Sequence, residues 1–102
     1  MDIKQTDEFS KWLGGLRDIR ARQKVIIRLL RLGDGNPGDV APVGEGISEL
    51  RIPHGPGYRV YYKTHDGAYV ALFGGDKSTQ AGDIKKAKEL AAGLEESDDG
   101  KN

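Results

Sequence analysis

Two arginines and a tyrosine lie at strand spacing on either side of a short Pro/Gly turn. Arg51 belongs to an alternating apolar/polar segment, 49–52, and Arg59 and Tyr61 belong to a second one, 58–62. Two such segments around a Pro/Gly cluster predict a β-hairpin. If the apolar positions share one face, Arg51 and Arg59 stand together on the opposite, exposed face. Since guanidinium groups present planar forks of donors, that face is suited to binding phosphate.

The rest of the chain predicts the elements that would hold this hairpin. Residues 1–5 allow a short first strand, and Thr6 is a candidate N-cap for an amphipathic helix. A second helix is expected over 18–32, followed by an irregular loop to about residue 46. A strand over 68–73, apolar on both faces, should be central in an antiparallel sheet, and a last helix follows it. The order is strand, helix, helix, three or four strands, helix.

The second predicted helix has two contrasting sides. Its wide apolar stripe, expected to face the core, contains Ile19, Val25, Ile26, Leu29 and Leu30. Its basic side carries residues three or four apart, namely Arg17, Arg20, Lys24, Arg28 and Arg31. Asp18 is the only acidic residue between the first and last of these bases. The basic side is either a solubilising surface or a ridge that follows a phosphate backbone or an acidic partner.

Length and composition set bounds on the domain and its chemistry. The 102 residues are expected to form one domain, 1–94, and an acidic, disordered tail, 95–102. Without that tail the net charge changes from zero to about +3, which alone does not imply a nucleic-acid partner. The absence of cysteine excludes a thiol nucleophile, and two histidines argue against a zinc site. With no apolar run of about 18 residues and no signal peptide, we expect no membrane segment and a cytoplasmic location.

Short segments spread over nearly the whole chain, apart from the acidic tail, carry a family resemblance. They are Glu8-Phe9-Ser10-Lys11-Trp12-Leu13, Gly35-Asn36-Pro37-Gly38-Asp39, Glu49-Leu50-Arg51-Ile52, Gly55-Pro56-Gly57-Tyr58-Arg59-Val60-Tyr61 and Gly74-Gly75-Asp76-Lys77-Ser78-Thr79-Gln80, followed by Asp83-Ile84. In this order and spacing they resemble the RelE/ParE superfamily of toxins from bacterial type II toxin–antitoxin modules. The likeness is greatest to its HigB-like branch, the addiction module killer proteins.

The resemblance implies an α+β fold in which two N-terminal helices pack on a small antiparallel sheet of three or four strands, with a C-terminal helix. It also implies a ribosome-dependent endoribonuclease, an mRNA interferase that inhibits translation. Such enzymes use the RNA's own 2′-hydroxyl as nucleophile, so neither a metal nor another cofactor is expected. The implied partners are the ribosome, mRNA and a cognate antitoxin, expected to be a helix-turn-helix protein. DNA would be contacted only through the toxin–antitoxin complex.

This chemistry assigns roles to three cations. Attack by the 2′-hydroxyl builds negative charge on a phosphorane, so positive groups at the phosphate help most. Arg59 matches the sheet arginine of the family, and Arg51 lies across the hairpin from it. Lys77 corresponds to the basic cluster that family members carry after the last strand. The basic residues of the second helix would contact ribosomal RNA.

Proton transfer is the less defined part of the site. His54, beside the hairpin turn, is the candidate whose ordinary pKa is near neutral, with Tyr61 and Asp76 as further candidates. Several ribosome-dependent family members rely on a tyrosine or histidine near the C-terminus. This chain has neither after Phe73, so the acid–base assignment stays open.

Each candidate also has a structural interpretation. The two arginines could pair with Glu49 or Asp76 on the sheet surface. His54 could be a turn residue, Lys77 a surface charge beside a helix, and Tyr61 a packing residue of the sheet.

Two further functions fit the same sequence. The ParE side of the superfamily poisons DNA gyrase without nuclease activity, which requires a protein-binding surface instead of a phosphate-cleaving one. A toxin fold that has lost activity and acts as a binding module is the third hypothesis. Fold alone does not decide among them, because function depends on the site.

Overall fold

The computed structural model describes residues 1–99 and shows an α+β fold with a five-stranded mixed sheet and three α-helices. The elements are β1 (Asp2–Gln5), α1 (Asp7–Gly15), α2 (Ile19–Gly33), β2 (Val40–Gly44), β3 (Ile47–Ile52), β4 (Tyr58–His65), β5 (Ala68–Asp76), a 3-10 turn (Lys77–Thr79) and α3 (Gln80–Asp99). The strand order is β1-β5-β4-β3-β2. Within this part of the chain, no helix has both the length and the apolar character that crossing a membrane requires.

The sheet differs from the predicted one in size and in strand direction. The predicted first strand is present as β1, but it pairs parallel to β5, with Ile3 opposite Tyr69. The other three pairings are antiparallel. The fifth strand, β2, lies in the segment predicted to be an irregular loop. The sequence did not predict this strand because it contains Pro42, and proline argues against a central strand. Proline is tolerated in β2 because β2 is at the edge of the sheet.

Both N-terminal helices begin at a side-chain cap. Thr6 Oγ1 accepts a hydrogen bond from Phe9 N at 3.0 Å and donates one to Leu72 O at 2.6 Å, so the cap of α1 is also tied to β5. Asp18 Oδ1 accepts from Arg20 N at 3.0 Å. Asp18 is therefore the N-cap of α2 and not its first helical residue.

Helices cover both faces of the sheet. The α1/α2 face carries an apolar cluster of Phe9, Val25, Leu29, Leu32, Leu50, Ile52, Val60, Tyr62 and Ala71. The α3 face carries a second cluster of Ile47, Tyr61, Val70, Leu72, Ala87 and Ala91. Alternation along β3 and β4 sends neighbouring residues to opposite faces, which is why Leu50 and Val60 lie on one face and Tyr61 on the other.

The apolar stripe predicted for α2 is only partly buried. Val25 and Leu29 face the sheet as expected, but Ile19, Ile26 and Leu30 are exposed. The core positions of α2 are instead completed by Ala21 and Leu32. The sequence prediction was wrong here because α2 has more apolar residues than one face of a helix can bury.

Helix α3 extends beyond the predicted end of the domain at residue 94. It continues to Asp99, and Glu95 Oε1 accepts a hydrogen bond from Lys63 Nζ at 2.8 Å. The predicted disordered tail is thus corrected at 95–99, which are helical, while 100–102 lie outside the residues that the structure describes.

Candidate functional site

A buried carboxylate lies at the centre of the arginine face. Glu49 in β3 is 0% exposed. Its Oε1 accepts hydrogen bonds from Arg51 Nε at 3.1 Å and Arg59 Nη1 at 2.9 Å. Its Oε2 accepts from Tyr61 Oη at 3.1 Å and Gln80 Nε2 at 2.7 Å. These donors replace the water that the carboxylate loses on burial, and the five residues form one connected group, here called the Glu49 cluster.

The β3–β4 ladder brings the cluster together. Arg51 is opposite Arg59, and Glu49 is opposite Tyr61. The period-two alternation of both strands points all four side chains to the α3 face. Gln80 completes the group because it is the first residue of α3. The prediction that the two arginines share a face of the hairpin is confirmed.

The two arginines differ in their access to solvent. The Arg51 side chain is 42% exposed and the Arg59 side chain 14%, so the predicted exposed face is correct for Arg51 and wrong for Arg59, which is largely covered. Arg51 Nη1 also lies 3.6 Å from Asp39 Oδ1. A guanidinium has five N–H donors, and Glu49 takes one from each arginine. Both forks keep further donors, with the more accessible ones on Arg51.

Glu49 is held as an anion. Burial by itself raises the pKa of its carboxyl. Hydrogen bonds from Gln80, Arg51 and Tyr61, together with a nearby guanidinium charge, outweigh burial and leave the pKa below its usual range. Glu49 therefore orients the two arginines while it offsets one of their charges. It confirms the structural interpretation that the arginines pair with Glu49, but at a buried position.

Tyr61 supports this anion and does not reach the surface. It is 0% exposed. Burial raises the pKa of its hydroxyl, and the charge and hydrogen bond of Glu49 raise it further. Tyr61 therefore stays protonated, and its hydroxyl donates a hydrogen bond to Glu49 Oε2. The structure places it as a buried side chain that a molecule bound at the surface does not reach.

Lys77 lies at the rim of the α3 face. Its backbone N–H donates to Gly57 O at 3.0 Å, which ties the 3-10 turn to the β3–β4 turn. Arg59 pairs with Gly75, two residues before Lys77, so the lysine is placed at the same end of the sheet as the Glu49 cluster. Its side chain is exposed.

Asp76 caps the 3-10 turn. Its Oδ1 accepts from Ser78 N at 2.8 Å and also from the Ser78 hydroxyl. These hydrogen bonds hold the pKa of Asp76 below its usual range. Asp76 therefore serves the turn that leads into α3, with Oδ1 engaged by Ser78.

His54 is turned toward the other face of the sheet. Its Nε2 lies 2.9 Å from Asp18 Oδ2, and its ring stacks on Tyr58 with centroids 6.4 Å apart and 23° between planes. Tyr58 packs on the apolar cluster of the α1/α2 face. The hydrogen bond from His54 also lowers the pKa of Asp18. The predicted grouping of His54 with the arginines is therefore corrected: it braces the start of α2.

The predicted basic ridge lies on α2 and the residues just before it. Arg17, Arg20, Lys24 and Arg31 are exposed as predicted. Arg28 is half-buried, and its guanidinium donates to the carbonyl oxygens of Arg51, Pro37 and Asp39. Arg28 therefore clamps the loop before β2 to β3 and is removed from the ridge.

Gln80 is the member of the cluster that the sequence did not predict. Strand alternation predicts Glu49 on the same face as Arg51, and Glu49 is one of the two pairing partners expected for the arginines. Its burial was not visible, because it depends on the start of α3, 31 residues further along the chain. Gln80 belongs to one of the segments that carry the family resemblance, but the sequence did not predict that its side chain would bind Glu49.

The comparison with known proteins adds a relative of similar length. A Haemophilus influenzae protein, described only as an uncharacterized protein, is 52% identical over 95 residues, covering 92% of this chain and 96% of that protein. The chain belongs to the same family as this protein. No protein-family model matches the chain, and no solved structure matches it.

Proposed function

We propose that this protein is the toxin of a type II toxin–antitoxin pair and a ribosome-dependent mRNA endoribonuclease of the RelE/ParE superfamily. The observation that carries the proposal is the Glu49 cluster, in which two arginines stand opposite each other on one face, fixed by a buried anion. The sequence resemblance supports the same assignment. In this proposal the protein acts in the cytoplasm, and a cognate antitoxin neutralises it.

The arginines would act on the charge that develops at phosphorus. In the proposed reaction the 2′-hydroxyl loses its proton and attacks the adjacent phosphorus. The bond from phosphorus to the 5′-oxygen breaks, and that oxygen gains a proton. Arg51 and Arg59 would donate to the non-bridging oxygens, where positions fixed before the reaction are most effective. Lys77 would add a third positive charge at the rim.

Proton transfer is assigned to water in this proposal. Tyr61 is buried and holds its proton against Glu49, and His54 faces α2. Glu49 is an ionised group whose oxygens are already occupied by donors. The cluster is thus equipped to stabilise charge more than to move protons, and charge stabilisation is usually the larger contribution to catalysis.

A translating extract tests the proposal. Added wild-type protein should cut mRNA only when ribosomes are present. Arg59→Ala should lower cleavage by about 100-fold or more, and Arg59→Lys should restore little, since an ammonium cannot replace the planar fork. The matched control is Lys63→Ala, which removes a different cation from the same face of β4, one that pairs with Glu95. Equal cleavage by wild type and a folded Arg59→Ala variant would refute the assignment.

A second candidate is a gyrase poison without nuclease activity. It is favoured by one observation, that His54 faces α2 and that Tyr61, although it lies in the Glu49 cluster, is buried and bonded to Glu49. A supercoiling assay separates the candidates. Inhibition of gyrase, with mRNA intact in the extract, would select the second.

A further inference from the structure

Helix α2 carries a second apolar stripe that points away from the core. Ile19, Ile26, Ile27 and Leu30 are each between 42% and 65% exposed. Among residues 1–99, the other large apolar side chain with comparable exposure is Met1. At 100° per residue, Ile19, Ile26 and Leu30 fall within about 40° of one another around the helix axis. Apolar residues scattered singly on a surface are ordinary, but four on one helix face form a patch.

A basic stripe runs beside the apolar one. Arg20, Lys24 and Arg31 are exposed and also fall within about 40° on the helix, with Ile27 between the two stripes. The sequence of α2 contains five basic residues and no acidic one. The outer face of α2 is therefore amphipathic along its length and positive on one side.

A shallow groove continues this surface toward the sheet. It has a volume of about 240 Å³ and is lined by Lys24, Ile27, Arg28, Arg31, Ile52 and Pro53. The lining therefore combines apolar side chains with basic ones. A bulky apolar side chain with a carboxylate nearby matches this lining.

We propose that the outer face of α2 is a docking surface for an acidic amphipathic helix of a partner protein. The apolar stripe would be buried against leucine or isoleucine side chains, and the basic stripe would pair with flanking glutamates or aspartates. The surface lies on the α1/α2 side of the sheet, away from the Glu49 cluster. The inference therefore stands whether or not the proposed nuclease function does.

Two other occupants fit less well. A phosphate backbone would pair with Arg20, Lys24 and Arg31 but would leave the four aliphatic side chains exposed to water. A second copy of this chain would bring together two α2 faces that each expose three basic side chains, Arg20, Lys24 and Arg31, with no acidic residue in the helix, which is repulsive. An acidic helix satisfies both stripes at once.

Binding of a designed peptide to the full chain tests the proposal. The probe is a fluorescent 21-residue helical peptide with leucines along one face and glutamates beside them; the reference is a scrambled peptide of the same composition. Wild type should bind the first more tightly than the second. The double change Ile26→Ser, Leu30→Ser should weaken binding by about tenfold or more, and Lys24→Glu, Arg31→Glu should do the same.

Controls separate this surface from general charge and from misfolding. The pair Lys85→Glu, Lys86→Glu makes the same charge change at exposed positions of α3 and should bind like wild type. Because the altered α2 residues are exposed, all variants should keep the circular dichroism spectrum and melting midpoint of wild type.

Four outcomes would overturn the proposal. The first is no binding of the designed peptide, and the second is equal binding of the scrambled peptide or of all variants. The third is that a single-stranded RNA oligomer binds in place of the peptide. Its binding would be weakened by Lys24→Glu, Arg31→Glu and unchanged by Ile26→Ser, Leu30→Ser. The fourth is a dimer in sedimentation that Leu30→Ser dissociates, which would assign the surface to a second copy.

Discussion

Strands β3 and β4 contribute apolar side chains to one face of the sheet and a network of charged and polar side chains to the other. On the α1/α2 face, Leu50 and Val60 are fully buried among aliphatic and aromatic side chains from two helices. On the α3 face, one half is an apolar cluster and the other half is the Glu49 cluster. Glu49 and Leu50 are neighbours in sequence and are equally buried. The comparison teaches that burial in this sheet stabilises by packing on one face and by compensated charge on the other.

The difference between the faces follows from the helices that pack on each of them. Two helices supply Phe9, Val25, Leu29 and Leu32 to the first face. On the second face, α3 packs through the small side chains of Ala87 and Ala91, and its first residue, Gln80, donates to Glu49 in the polar half. One helix leaves the arginine end partly open, which is the condition for a surface site beside a buried anion.

The largest effect is expected from Glu49→Ala. Removing the carboxylate leaves the buried donors of Arg59, Tyr61 and Gln80 without their acceptor. Loss of one partner from a buried charged pair costs about 3–5 kcal/mol in the free energy of unfolding. Urea unfolding at neutral pH measures it. A loss below about 1 kcal/mol would contradict the view that this face is held by compensated charge.

Leu50→Ala is the matched change on the other face. It should lower the free energy of unfolding by about 2–5 kcal/mol, through lost transfer energy and a cavity under α2. Because Leu50 points away from the arginines, the folded fraction should keep the cleavage activity of wild type in the extract assay. A Leu50→Ala protein that is folded but inactive would show that the two faces are not independent.

Substitutions at Gly74 and Gly75, neighbouring residues of β5, test the two faces of the sheet at one position. A Cβ at Gly74 would overlap the ring of Trp12, which is packed against the apolar cluster. A Cβ at Gly75 would meet the carboxylate of Asp83, which is the end of a side chain bonded to the Thr79 hydroxyl and can move more readily than a packed ring. Gly74→Ala should therefore destabilise by about 1–3 kcal/mol, and Gly75→Ala by less. Melting midpoints of the two variants check the order, and the reverse order would contradict it.

Stability in acid should distinguish the charged face. The folded-state pKa of Glu49 lies below its ordinary value of 4.5. Its ionised form thus contributes stability that is fully present above about pH 4.5 and is lost as pH falls through the folded-state pKa. Urea unfolding of wild type and Glu49→Gln at pH 7 and in acid should show a stability difference that shrinks in acid. A difference that grows as pH falls would contradict the lowered pKa.

The smallest effect is expected from His54→Ala. Since His54 contacts Asp18 and Tyr58 on the α1/α2 side, its loss should leave cleavage of mRNA unchanged. The melting midpoint should fall only slightly, because the contact is at the surface. A loss of cleavage of about 100-fold in a folded His54→Ala protein would restore the histidine as a proton-transfer group.

Local pattern predicted the hairpin, the cap at Thr6 and the shared face of Arg51 and Arg59, since each depends on residues close in sequence. It did not predict the burial of Glu49, which depends on the distant start of α3. It also placed Ile26 and Leu30 in the core, because periodicity locates an apolar stripe without showing which stripe faces the sheet. Strand β2 was missed since an edge strand tolerates the proline and glycines of a loop.

The parallel pairing of β1 with β5 has a consequence for synthesis of the chain. β1 is synthesised before β5, but Thr6, directly after β1, donates to Leu72, 66 residues further along the chain. β4 is paired with β3 on one side, and its other edge stays unpaired until β5 is synthesised. A nascent chain that stops before β5 therefore exposes the edge of β4, and such edges promote aggregation. Premature termination should consequently yield insoluble fragments instead of partly active ones.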